Sequence, residues 1–146
     1  MQVKEENKEK FNVVLFSLVQ AIKSESEYCG KVCGGLNEKE LVIVHLVGQK
    51  QNIKMSEIAT NLDAPMSTLT NIVDKLVEKK FLSRGHSSED RRVINVFLDA
   101  KGKTAYKTIL KQKKKVSERL LSQFDDKTQD LVIKHIHALA SSLNNT

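Results

Sequence analysis

The stretch MSEIATNLDAPMSTLTNIVDKLVEKK, residues 55–80, limits the fold more than any other part of the chain. Ile58, Ala59 and Leu62 fall on one helical face of its first half, and Leu69, Ile72, Val73, Leu76 and Val77 do the same in the second. Between them lies only the turn-like NLDA, followed by Pro65, whose missing N–H is harmless at or near the start of a helix. The spacing is that of a helix-turn-helix. The outward face of the second helix carries Ser67, Asn71, Asp74, Lys75 and Glu78, flanked by Thr68 and Thr70. Its N-terminal end is small and polar, as a helix entering a DNA major groove requires.

The flanking segments supply a scaffold. FLSR at 81–84 and VINVFL at 93–98 are strand-like, the second alternating on Ile94, Val96 and Leu98, so residues 85–92 become the charged tip of a hairpin. Upstream, Phe11, Val14, Leu15, Leu18 and Ile22 predict a helix over about 6–28, ended by CGKVCGG. Val13, Phe16 and Val19 make its apolar face too wide for one partner, which points to a second surface such as another subunit. LNEKELVIVHLV could pass for a strand. Asn37 and Glu40 at capping-box spacing, with Leu36 and Leu41 as a hydrophobic staple, predict a helix over 38–49, after which GQKQN turns the chain. Asp99 caps a helix over 100–123, and Leu131, Val132, Ile136, Leu139, Ala140 and Leu143 pattern a last one over 126–143. The expectation is a mainly α chain with a small β-hairpin wing, about six helices in a single domain, 1–146.

Several classes drop out. No apolar run approaches the ~18 residues of a membrane span, and the charged start MQVKEENKEK lacks the apolar core of a secretory signal. The chain is expected to be cytoplasmic and Cys29 and Cys33 reduced. No phosphate-cradling glycine loop, nucleophile elbow or ligand-spaced metal set is visible, so neither an enzyme nor a cofactor is expected. The net charge of +6 suits a polyanionic partner. Its excess is concentrated around KQKKK at 111–115, which is read as a solvated helical face.

The run DRRVINVFLDAKG resembles the wing signature of the MarR family of winged-helix transcription regulators, Asp-x-Arg, five residues, Leu, Ser or Thr, two residues, Gly. It matches at Asp90, Arg92, Leu98 and Gly102, with Asp99 in place of the usual hydroxyl residue. Asp63 and Lys80 stand where glycine is common, and Pro65 where a capping serine is usual. The resemblance implies a homodimer built from the first, fifth and sixth helices (about 6–29 and 100–143). Each winged helix-turn-helix (about 37–99) would read half of a pseudo-palindromic operator in double-stranded DNA. It also implies a ligand cleft between the two regions, and hence a repressor released by a small-molecule effector.

Within that frame Arg92 is expected in the minor groove, where negative potential is concentrated and a guanidinium sheds water more readily than an ammonium. Asp90 would hold that guanidinium, while Arg91 and Arg84 reach phosphates. Ser67, Thr68, Thr70 and Asn71 are candidates for phosphate or base-edge contacts, Asn71 being able to pair bidentately with adenine, and Lys75 for phosphate. Two alternatives remain. Cys29 and Cys33, spaced i,i+4, could form a thiol-based redox sensor if the first helix runs through Gly30, although peroxide-sensing relatives place their cysteine early in that helix. The winged helix could instead be a protein-interaction module that reads no DNA. Zinc-sensing relatives combine such a cysteine and a histidine like His45 with two histidines on the fifth helix. That helix has none here, and His135 and His137 at i,i+2 point apart, so no metal is expected.

Overall fold

The computed structural model describes residues 1–144. Six helices and three short strands occur in the order α1 (Glu5–Val32), α2 (Glu38–Lys50), β1 (Ile53–Lys54), α3 (Met55–Leu62), α4 (Met66–Glu78), β2 (Leu82–His86), β3 (Ile94–Leu98), α5 (Ala100–Leu121) and α6 (Asp126–Asn144). The fold is mainly α with a small antiparallel wing, as expected. Two compact units divide the chain, Met1–Ile109 and a second beginning at Leu110, part-way along α5.

The core of the first unit lies under the helix-turn-helix. Ile43, Val44 and Val47 of α2, Ile58 of α3, Leu69, Val73 and Leu76 of α4, and Leu82 and Val96 of the sheet are completely buried. Each such side chain contributes roughly 1.5–3 kcal/mol of transfer free energy, which opposes the entropy of ordering the chain. Asn37 closes the start of α2 as its spacing suggests. Its side chain accepts from the Glu40 amide while Glu40 accepts from the Asn37 amide, both at 2.9 Å. In the second unit Asp125 caps α6 by accepting from the Thr128 amide at 2.8 Å; the Thr128 side chain first, and that amide second, hold its carboxyl below the usual carboxylate range.

Four local features differ from the sequence reading. First, α1 continues through Gly30 to Val32, because a Cβ at Gly30 would lie 2.0 Å from the Leu36 carbonyl oxygen and only glycine lets the chain return so closely. The helix stops at Gly34 and Gly35, where φ is +100° and +81°. Second, Ile53 and Lys54 form a strand that the pattern could not reveal, since two residues are too short to alternate. Ile53 pairs with Val96 and Lys54 with Asn95, giving a three-stranded sheet in the order β1-β3-β2. Third, β2 extends past Arg84 through Gly85 and His86, paired with Asn95 and Ile94, so the hairpin tip shrinks to residues 87–93. Fourth, α5 ends at Leu121, two residues before the expected boundary.

Asp63 and Lys80, the positions at which the resembled pattern carries glycine, both adopt left-handed backbone, with φ of 48° and 67°. They end α3 and follow α4, where a reversal of the chain demands that conformation. The structure thus supplies the physical reason for glycine there.

A candidate nucleic-acid interface

Helix α4 is fixed from behind by Leu69, Val73 and Leu76, and this places Ser67, Thr68, Asn71 and Lys75 on its exposed side. Pro65 occupies the N-cap and provides no side-chain acceptor. The unpaired first-turn amides and the positive end of the helix dipole are therefore not neutralised by a capping side chain. Thr70 differs from its neighbours. It is half-buried, and its hydroxyl donates to the Met66 carbonyl at 2.8 Å, so it helps to shape the helix before it can address a ligand.

The hairpin meets α4 through a contact absent from the sequence reading. Arg84 of β2 forms an ion pair with Asp74 of α4. Its guanidinium is thus engaged by a carboxylate of the neighbouring helix while remaining partly exposed. Both side chains are partly exposed, so the pair is worth little as stability. Its geometric effect is to tie the base of the wing to the helix beside it.

The tip is organised by short-range hydrogen bonds. Ser87 N–H donates to the Val93 carbonyl at 2.9 Å and Val93 N–H to the Asp90 carbonyl at 3.0 Å. Glu89 N–H donates to Ser87 Oγ at 3.2 Å. Asp90 also departs from expectation, since its Oδ1 accepts from the backbone amide of Arg92 at 3.0 Å. It shapes the turn from which Arg92 projects. Arg91 and Arg92 are both exposed. His86, missed from the sequence because it looked like loop, places Nδ1 2.8 Å from the Arg91 carbonyl oxygen.

The other candidates lie elsewhere. Cys29 and Cys33 are brought together, with sulfurs 3.9 Å apart, and the Cys33 thiol donates to the Ala105 carbonyl at 3.7 Å. Burial first, and the neighbouring Cys29 second, push the Cys33 thiol up to about 12, so it stays protonated and poorly nucleophilic. His45 stacks at a tilt on Tyr106 of α5, ring centroids 5.9 Å apart. No group of three or more His, Cys, Asp or Glu among the described residues is placed to hold a metal ion. Lysines 111, 113, 114 and 115 are exposed in the second unit, Lys114 lying 3.9 Å from Glu118. No helix of the described residues is long and apolar enough to cross a membrane.

A helix-turn-helix with a polar helix face, followed by an arginine-tipped hairpin that joins the preceding β1 in a three-stranded sheet, defines a winged helix-turn-helix protein. The MarR family model matches residues 36–94, so the winged helix-turn-helix of this chain is similar to that family. The transcriptional repressor MdtR of Bacillus subtilis is 30% identical over 104 residues, covering 71% of this chain and 66% of MdtR. The chain therefore spans slightly less than two thirds of that relative. The solved structure of FabT from Streptococcus pneumoniae, in complex with DNA, matches 94% of this chain and 98% of that one at a TM-score of 0.86 and 20% identity. That of the YusO protein from Bacillus subtilis matches 97% and 99% at a TM-score of 0.72 and 25% identity.

Proposed function

We propose that the protein is a homodimeric DNA-binding transcription regulator, a repressor whose grip on a pseudo-palindromic operator is relieved by a small molecule. The observation that carries the reading is the pairing of α4, whose outward face offers Ser67, Thr68, Asn71 and Lys75, with a tip that presents Arg91 and Arg92 beside it. One element suits base edges and the other a narrow, electronegative groove. The DNA in the FabT structure and the repressor role of MdtR support the same reading.

Dimerisation is supported by apolar side chains left in solvent. Phe11, Val14, Leu18 and Ile22 of α1 are exposed, and so are Leu131, Ile136, Leu139 and Leu143 of α6. A second copy of the chain would cover both sets. An effector has a candidate cleft of about 440 Å³ lined by Val32, Cys33, Phe81, Lys101, Thr104 and Thr108. That space is mostly apolar with one cation at its rim, which suits a small amphipathic acid.

The test is selection from a random duplex library, followed by salt titrations on the selected operator. Arg92→Ala should weaken binding by on the order of 1–3 kcal/mol and flatten the salt dependence, leaving the preferred central motif unchanged. Asn71→Ala should relax preference at one symmetric pair of positions and leave the salt slope nearly intact. Failure to enrich any palindrome, together with no binding to heparin at low salt, would favour a protein-interaction module instead.

A further inference from the structure

The Arg91–Arg92 peptide group is held at both ends by side chains. Its N–H, which belongs to Arg92, donates to Asp90 Oδ1 at 3.0 Å, and its carbonyl oxygen, which belongs to Arg91, lies 2.8 Å from His86 Nδ1. A carbonyl oxygen can only accept, so that ring nitrogen must carry the proton. The remaining tip bonds engage the amides of Ser87, Glu89 and Val93 and leave this peptide untouched. Without His86 and Asp90 it would be free to rotate.

We infer that His86 is a positioning residue for DNA binding, clamping with Asp90 the peptide plane from which the two exposed wing arginines project. The inference rests on the DNA-binding reading above. The orientation of a peptide plane sets the direction in which the flanking side chains leave the backbone, so the clamp decides where Arg91 and Arg92 point before DNA arrives. A free tip would have to be ordered on binding, and that entropy would be subtracted from the affinity. The anchor of the clamp is itself fixed. His86 is the last residue of β2, paired with Ile94, and two residues earlier the same strand is tied to α4 by the Arg84–Asp74 pair. The arginines are therefore positioned from the recognition helix outward through Asp74, Arg84 and His86.

Two substitutions separate the donor from the ring. Asn places an amide N–H where imidazole places Nδ1–H, whereas Phe keeps a ring without a donor. His86→Phe should weaken binding to the selected operator about three- to tenfold, the range expected for one net hydrogen bond, and His86→Asn should stay within about twofold of the parent. In an Arg91→Ala/Arg92→Ala background His86→Phe should cause no further loss, because a positioning residue acts only through what it positions. A readout independent of DNA is the ¹⁵N order parameter of the Arg92 amide in the full chain, which should fall from about 0.85 toward 0.6 in His86→Phe and not in His86→Asn. Equal binding by His86→Phe and parent, equal weakness of the Asn and Phe variants, or an unchanged Arg92 amide in His86→Phe would each overturn the clamp. If the parent selects no duplex at all, the DNA-binding reading fails by itself, and the order parameters still decide whether the clamp exists.

Discussion

Residues 36–98 and the terminal helices are both patterned for burial, yet only the former achieve it within the chain. In the helix-turn-helix the apolar positions of α2, α3, α4 and the sheet close on one another until many are completely buried. In α1 the only buried residue is Gly30, and α6 has none. Both kinds of segment carry helical periodicity, so periodicity reports that a face will be covered and not by what. The over-wide face of α1, left exposed in the structure, is the feature on which the proposed dimer rests.

The largest expected effect breaks this contrast at α6. Removing everything after Phe124 should abolish the dimer outright at micromolar concentration, whereas removing residues 1–10, which precede the apolar run of α1, should leave most of it. Light scattering on both proteins decides. Should the truncated chain fold poorly, Ile136→Asp with Leu139→Asp tests the same surface, both side chains being exposed. A full-length chain that remains a monomer would overturn the assembly.

Core substitutions come next. Leu69→Ala, at a completely buried position, should cost about 2–5 kcal/mol in a denaturant titration. In protein diluted until monomeric, Leu139→Ala should change stability by less than about 0.5 kcal/mol, its side chain having little to lose. Similar losses at the two positions would mean that α6 is covered within one chain, and the contrast would fall.

A smaller effect belongs to the cap of α2. Asn37→Ala should cost about 1 kcal/mol, by removing the acceptor of the Glu40 amide and half of a reciprocal pair. Thermal unfolding with Glu40→Ala and the double variant would show whether the pair is coupled, since non-additive losses are expected of residues that bond each other.

What the sequence made legible follows the range of the interaction concerned. The capping box spans three residues and was readable, as was the run from Leu69 to Leu76 that anchors α4. The strand at Ile53 depends on Val96, more than forty residues away, and two residues hold no period. The site shows the same division. Ser67, Asn71 and Lys75 could be placed because helical spacing fixes which side they occupy. The partners of Arg84 and Asp90 could not, since nearness in sequence says nothing of direction. The Asp90 carboxylate turns to the Arg92 amide and not to its guanidinium, and Arg84 meets Asp74 across a turn. His86 escaped notice because its role depends on β2 continuing two residues past Arg84.

The smallest effect concerns backbone that the packed region forces into strain. Lys80 sits at φ 67° between α4 and β2, where an L-residue pays roughly 1–2 kcal/mol for the clash of its Cβ with the backbone. It cannot relax, because its amide donates to the Val77 carbonyl at 3.0 Å and its carbonyl accepts from Lys101 N–H at 3.2 Å. Lys80→Gly removes the clash but gives the unfolded chain more freedom, an offset of about 0.4–1 kcal/mol. The net expectation is a gain of up to about 1 kcal/mol, seen as a higher midpoint in thermal unfolding. Lys80→Ala keeps the Cβ and should leave stability near that of the parent, which separates relief of strain from loss of a surface charge. Asp63→Gly should gain less than Lys80→Gly, because aspartate tolerates left-handed backbone better than lysine does. If alanine and glycine stabilise Lys80 equally, charge is responsible, and the packed region holds its turns without strain.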